Sequence, residues 1–355
     1  MEKRSRRHFL KTLLTVPAAS IAPGVILSMT ANKAKAVKKS STMNSKNTGN
    51  SFEPSYLALH KNGELKARGE VLHDMMGNCT LCPRECETDR LRGLRGDCNA
   101  NADLEISSAH PHFGEERELV GENGSGTIFF TNCSLLCVFC INYEISHLGQ
   151  GRKYSVSELA NMMLLLQRRG CHNINVVTPS HYVPHIVQAL DVAAGQGLRL
   201  PVAYNTCGWE KPEILELLDG VVDVYLSDFK YMDSEAADKY SAGADCYPEV
   251  TQKALLEMHR QVGVAHADET GLINRGLMIR HLVMPENVAR SDRVVRWVAN
   301  NLPKDTYLNI MSQYTPMYKA FDYPEISRRI TRSEYNNVLT IARSAGLTNI
   351  RQQMR

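Results

Sequence analysis

The chain has 355 residues, 43% hydrophobic and 22% charged, a globular composition with length for one large domain or two ordinary ones. Its formal charge of +3 is concentrated at the start. The first 36 residues carry seven Lys/Arg and one acidic residue, leaving 34 basic against 37 acidic residues beyond them, and so near-neutral a body argues against a broad nucleic-acid surface.

Residues 1–36 have the layout of a targeting segment. "SRRHFLK" (5–11) precedes a mildly apolar stretch (12–29), and Ala34-Lys35-Ala36 is a small-x-small cleavage site. The paired Arg6-Arg7 followed by Phe9 and Leu10 resembles a twin-arginine export signal. A membrane helix is the alternative, but Pro17, Pro23 and Gly24 interrupt it. No later segment is long and apolar enough to span, so the mature chain is expected without a membrane span. The expected location is periplasmic, with cytoplasmic as the alternative. Residues 37–52 are rich in Ser, Asn and Lys and read as a flexible linker.

Residues 53–125 form an N-terminal Cys-rich segment. Cys79, Cys82, Cys86 and Cys98 follow the spacing C-x2-C-x3-C-x11-C, which can close a tetrahedral site. The intervening "RLRGLRG" has too few apolar residues for its own core, so a bound metal would supply the missing folding energy. Zinc and an auxiliary iron–sulfur cluster both suit it; disulfides or free thiols are the plainer reading. In "AHPHFGEERE", His110, His112, Glu115 and Glu116 suit acid/base or ligand roles, but a polar loop over the domain is expected.

From 126 to 355 short β-branched runs alternate with helical patterns. Strands are expected at 126–132, 173–179, 200–206, 222–229, 276–284, 306–312 and near the C-terminus. Two helices carry complete start and stop signals. Ser155 and Glu158 form a capping box with Gly170 as the stop, and Thr331 and Glu334 repeat the scheme with Gly346. Such alternation means α/β architecture, a parallel sheet with right-handed crossovers. Six or seven units fall slightly short of an eight-unit barrel. Either a barrel or an open sheet does its chemistry at the C-terminal strand ends. Cys133, Thr178 to His181, Asn205 to Gly208, Asp228 and Lys230 stand there. Cys171, Cys207 and Cys246 read as buried packing cysteines.

Cys133, Cys137 and Cys140 follow the first of these strands with no fourth cysteine close by. Three thiolates on one loop would hold three irons of a cubane cluster and leave the fourth open to an external ligand. A zinc site or three packed thiols are the bland alternatives. The pattern C-x3-C-x-Φ-C, with Phe139 as the aromatic, resembles the signature of radical S-adenosylmethionine enzymes. "NVVTPSHY", "YNTCGWE", "LSDFK", "IRHLVMPEN" and "MSQYTP" extend the likeness to the branch of pyruvate formate-lyase activating enzymes, over roughly residues 75–353.

The resemblance implies a partial (β/α)6-type TIM barrel with a 4Fe–4S cluster on Cys133, Cys137 and Cys140. S-adenosylmethionine would be cleaved reductively, fed by an external one-electron reductant, to a 5′-deoxyadenosyl radical for hydrogen abstraction. The implied substrate is a glycyl-radical enzyme or a small molecule. Implied cofactor contacts are Thr178, Ser180, Asn205, Thr206, Gly208, Asp228 and Lys230. Two departures stand out. Thr178-Pro179-Ser180-His181 replaces a Gly-Gly-Glu-Pro stretch that touches the methionine amino group, and Cys207 replaces an Asn. A rival of another class is a non-catalytic iron–sulfur electron carrier of the cell envelope.

Overall fold

The computed structural model of the protein describes residues 52–353. The export signal and almost all of the linker expected at 37–52 lie outside the described residues. The strands are β1 (Leu104–His112), β2 (Ser125–Phe130), β3 (Arg152–Tyr154), β4 (Ile174–Val177) and β5 (Val202–Thr206). After them come β6 (Val224–Asp228), β7 (Gly276–Leu282), β8 (Tyr307–Met311) and β9 (Ile350–Gln353). They form one sheet in the order β3-β1-β2-β4-β5-β6-β7-β8-β9. From β2 through β4 to β9 every pairing is parallel. The sheet is open, as expected for a partial barrel.

Each parallel strand takes its place because its crossover helix buries an apolar face on the sheet. Helix Val156–Arg168 buries Leu159, Met163 and Leu166, and Ser291–Asn301 buries Val294, Val295 and Val298. Both capping boxes are present. Ser155 Oγ and Thr331 Oγ1 accept the N–H groups of Glu158 and Glu334, whose side chains return to the cap backbones. Strands β5 and β8 are buried at every position, the pattern of a sheet covered on both faces.

Two elements depart from expectation. "AHPH" is not part of a loop: His110 and His112 belong to β1, antiparallel to β2. β3 pairs only with Leu104–Ile106 of β1. Pro111 therefore lies where β1 has an open outer flank, and there a residue without an N–H is tolerated. The N-terminal segment is thus continuous with the sheet through β1. Among the described residues no helix is long and apolar enough to cross a membrane.

At the opposite end of the sheet from the cysteine triad, fully buried Asp223 ties the segment around Ser55 to the strands. Its carboxylate accepts the N–H groups of Ser55 (2.9 Å) and Val202 (3.0 Å). Burial pushes its carboxyl up to about 6. The folded state therefore binds a proton that the unfolded chain has already lost, and this group's contribution to stability falls as pH rises from about 4 through 6. Wild type compared with Asp223→Asn, by chemical denaturation, should gain on the order of 2 kcal/mol between pH 7 and pH 4. A difference flat in pH would contradict the assignment.

Candidate functional site

β2 delivers the chain to the C-terminal end of the sheet, where Asn132 and Leu136, both at positive φ, fold it into a tight loop. Cys133, Cys137 and Cys140 line one cavity of ≈ 380 Å³. Polar hydrogens meet the sulfurs: Leu135 N–H reaches Cys133 Sγ (3.4 Å) and Ser241 Oγ–H reaches Cys137 Sγ (3.3 Å). Ser146 Oγ lies 3.2 Å from Cys140 Sγ. Neighbouring segments pin the loop through Val138, whose N–H donates to Tyr240 O and whose carbonyl accepts from Lys319 N. Among the described residues no three metal-ligating side chains converge on one bonding point; a cube, with a separate iron for each thiolate, does not ask them to.

The opposite wall is charged. Asp228 and Arg280 are direct partners across β6 and β7. Arg280 Nε donates to Asp228 Oδ1 (2.8 Å), Nη1 to Glu115 Oε2 (3.0 Å) and Nη2 to Asn205 Oδ1 (2.7 Å). Asn205 Nδ2 closes the ring on Glu115 Oε1 (3.0 Å), and Lys230 Nζ donates to Asp228 Oδ2 (2.6 Å). The four charged side chains are only 10–17% exposed. Burial opposes the charge on Asp228, but Arg280 and Lys230 outweigh it and hold its carboxyl below the ordinary range. Burial likewise opposes the charge on Lys230, and Asp228 overcomes it and raises its pKa. Lys230 also lies within electrostatic reach of all three cavity thiols. The cation favours thiolate at all three, but only Cys133 is lowered; burial outweighs it at Cys137 and Cys140 and pushes those thiols up.

Of the seven expected contact residues, Thr178, Asn205, Thr206, Asp228 and Lys230 line the cavity. Ser180 and Gly208 stand behind its wall. Ser180 and Thr206 donate their hydroxyls to Glu210, a fully buried carboxyl that burial raises to about 7. Gly208 has φ +77, and a Cβ there would sit 2.2 Å from Asp228 O. Only glycine lets the ends of β5 and β6 meet this closely. Tyr247 Oη bridges the same two ends, accepting Lys230 N–H (2.9 Å) and donating to Cys207 O (2.8 Å).

Three roles were not foreseen. Arg280 sits inside an apolar run, and only pairing of β6 with β7 sets it against Asp228. Glu115 follows β1 into the network, and His112 lines the cavity, while Glu116, buried within electrostatic reach of Arg280, accepts from Asn309 (2.9 Å). Cys207 is not merely packing, because its thiol hydrogen-bonds Cys133, lowering that pKa and raising its own. Of that pair the hydrogen bond favours negative charge on Cys133. Cys171 is buried as expected, but Cys246 is exposed.

A model of the radical SAM superfamily matches residues 127–290, which hold the triad and every strand from β2 through β7. The uncharacterized protein MJ0674 of Methanocaldococcus jannaschii is 30% identical over 304 residues, covering 83% of each chain.

Arg280→Met should strand Asp228 and Glu115 without their shared partner and cost about 3 kcal/mol of unfolding free energy. Arg280→Lys should recover only part, since an ammonium cannot reproduce the three-way fork. Unchanged denaturation midpoints would mean that the network is not the brace of this wall.

Proposed function

Because the chain belongs to the radical SAM superfamily and is an enzyme of that class, we propose that Cys133, Cys137 and Cys140 hold three irons of a 4Fe–4S cluster. S-adenosylmethionine then occupies the cavity between them and the charged wall. The observation that carries this reading is the shared cavity, with three thiols on one side and Asp228, Lys230, Arg280 and Glu115 on the other. Bound and reduced, the cluster supplies one-electron cleavage of the sulfonium to methionine and a 5′-deoxyadenosyl radical.

The chain's own residues bind and orient. Lys230 spends one of its three donor positions on Asp228, and the rest suit the cofactor carboxylate. Asp228 and Glu115 suit its amino group, which the missing Gly-Gly-Glu-Pro glutamate cannot serve. Thr206, with its hydroxyl proton committed to Glu210, offers oxygen lone pairs only. Phe130, Leu135, Phe139, Leu282 and Met311 supply apolar lining that keeps water from a reactive radical. An external one-electron reductant is required. The motifs that resemble those of activating enzymes favour hydrogen abstraction from a glycyl-radical enzyme over a small-molecule substrate. The twin-arginine layout favours periplasmic delivery of an already loaded protein.

Anaerobic full-length chain with a reconstituted cluster, S-adenosylmethionine and dithionite should release 5′-deoxyadenosine. Cys137→Ala should reduce release to background, and Lys230→Met should raise the half-saturating S-adenosylmethionine concentration roughly tenfold, the loss of about 1.4 kcal/mol of binding. Iron-replete wild type that releases none would overturn the proposal. Incubation with glycyl-radical enzymes, read by electron paramagnetic resonance, addresses the substrate. A glycyl doublet supports activation, and its absence with 5′-deoxyadenosine still formed points to a small molecule.

A further inference from the structure

A second thiol set lies outside the cavity, in the stretch from Cys79 to Ala100. The buried side chains of that stretch are Cys79, Leu81, Cys82, Arg90, Cys98 and Ala100, while Leu91 and Leu94 are exposed. Its interior is therefore made of thiols around a guanidinium, with two apolar side chains. Cys79, Leu81, Cys98 and Ala100 join the protein's main core, but the stretch brings few apolar side chains of its own to fix its loops.

Two backbone turns present the sulfurs. Cys79 N–H donates to Thr88 O and Glu87 N–H to Cys79 O, closing a loop that carries Cys82 and Cys86. Gly96 N–H donates to Ala100 O and Asn99 N–H to Gly96 O, closing a tight turn around Cys98. The turns meet at Gly96, where a Cβ would stand 2.9 Å from Cys86 Sγ and 3.8 Å from Cys98 Sγ. Cys79 and Cys82 lie within electrostatic reach of Cys98.

Arg90 supplies an independent observation. It is 0% exposed. Its guanidinium donates to Asn101 O and His181 O (each 2.8 Å) and points Nη1 at Cys79 Sγ, 3.7 Å away. Among the described residues it has no carboxylate partner. A fully buried cation without an anion is strongly disfavoured. Four thiolates on one divalent ion carry a net charge of about −2, the counter-charge that this arginine lacks.

We propose that Cys79, Cys82, Cys86 and Cys98 close a structural zinc site. We favour one ion over a four-iron cube because Gly96 packs directly against two of the sulfurs. Closure takes side-chain rotation, since the sulfurs do not yet converge, and the metal fixes loops that carry few apolar side chains of their own. The site also serves the triad loop. Arg84, between Cys82 and Cys86, donates to the carbonyls of Ser134 (2.8 Å), Ser241 (3.0 Å) and Ala242 (2.6 Å). Ser241 in turn donates its hydroxyl to Cys137 Sγ. Zinc therefore holds in place the guanidinium that braces the triad loop.

The test uses the full chain, expressed with iron and zinc both supplied and isolated anaerobically. Elemental analysis should find about one zinc per chain in wild type, in Cys137→Ala and in a Cys246→Ser control. Cys98→Ser should lose at least ~tenfold in zinc occupancy, and Cys98→His should retain zinc because imidazole replaces thiolate. Should Cys98→Ser fail to fold, zinc-edge X-ray absorption of wild type decides, with four sulfurs at about 2.3 Å expected. Wild type without zinc, zinc with nitrogen or oxygen ligands only, zinc retained by folded Cys98→Ser, or iron and sulfide sufficient for two clusters would each overturn the site. Folded Cys98→Ser should also lose the triad's charge-transfer absorption several-fold faster in air; an unchanged rate would overturn the bracing role.

Discussion

The cavity depends on one constraint: a charge taken out of water must meet an opposite charge. Arg280 is nearly buried at the end of β7 and satisfied only when β1, β5 and β6 bring Glu115, Asn205 and Asp228 to it at once. A slip in register between β6 and β7 would remove Asp228 from its place opposite. The network thus reads out correct assembly of the sheet. Lys230, held by Asp228, points positive charge toward the thiols. Cys207, hydrogen-bonded to Cys133, lowers the pKa of that thiol. Site and fold are stabilised by the same contacts.

This arrangement bears on the choice between an enzyme and an electron carrier. An electron carrier needs a cluster, a path and a low-dielectric shell. It has no use for a cavity of ≈ 380 Å³ lined by two cations and two carboxylates, which exposes the centre to solvent at a cost in stability. A polar-ended ligand seated against the thiols accounts for the cavity and the charges together. Gly208 and Tyr247 fit the same reading, since both hold the ends of β5 and β6 at a separation that keeps the charged wall in place.

Much of this was legible in the sequence because it rests on local rules. The capping boxes at Ser155 and Thr331 need only four residues each, and the buried parallel strands announce themselves as short β-branched runs. The triad is legible because its three cysteines fall within eight residues. β1 was not, because Pro111, two histidines and two serines mask a strand whose outer flank is mostly open. Arg280 and Glu115 were not singled out as partners because 165 positions separate them. Glu210 was passed over because only the fold sets it beneath Ser180 and Thr206. Pairings of this kind belong to strand order and register, which periodicity does not encode.

The central claim is that the triad holds a cluster with one iron open to S-adenosylmethionine. Electron paramagnetic resonance of the anaerobically reduced full-length chain, before and after addition of S-adenosylmethionine, tests it most directly. The account predicts a 4Fe–4S signal whose g-values shift when the cofactor is added, because the ligand reaches the cluster itself. A cluster signal that stays unshifted at saturating S-adenosylmethionine would contradict it.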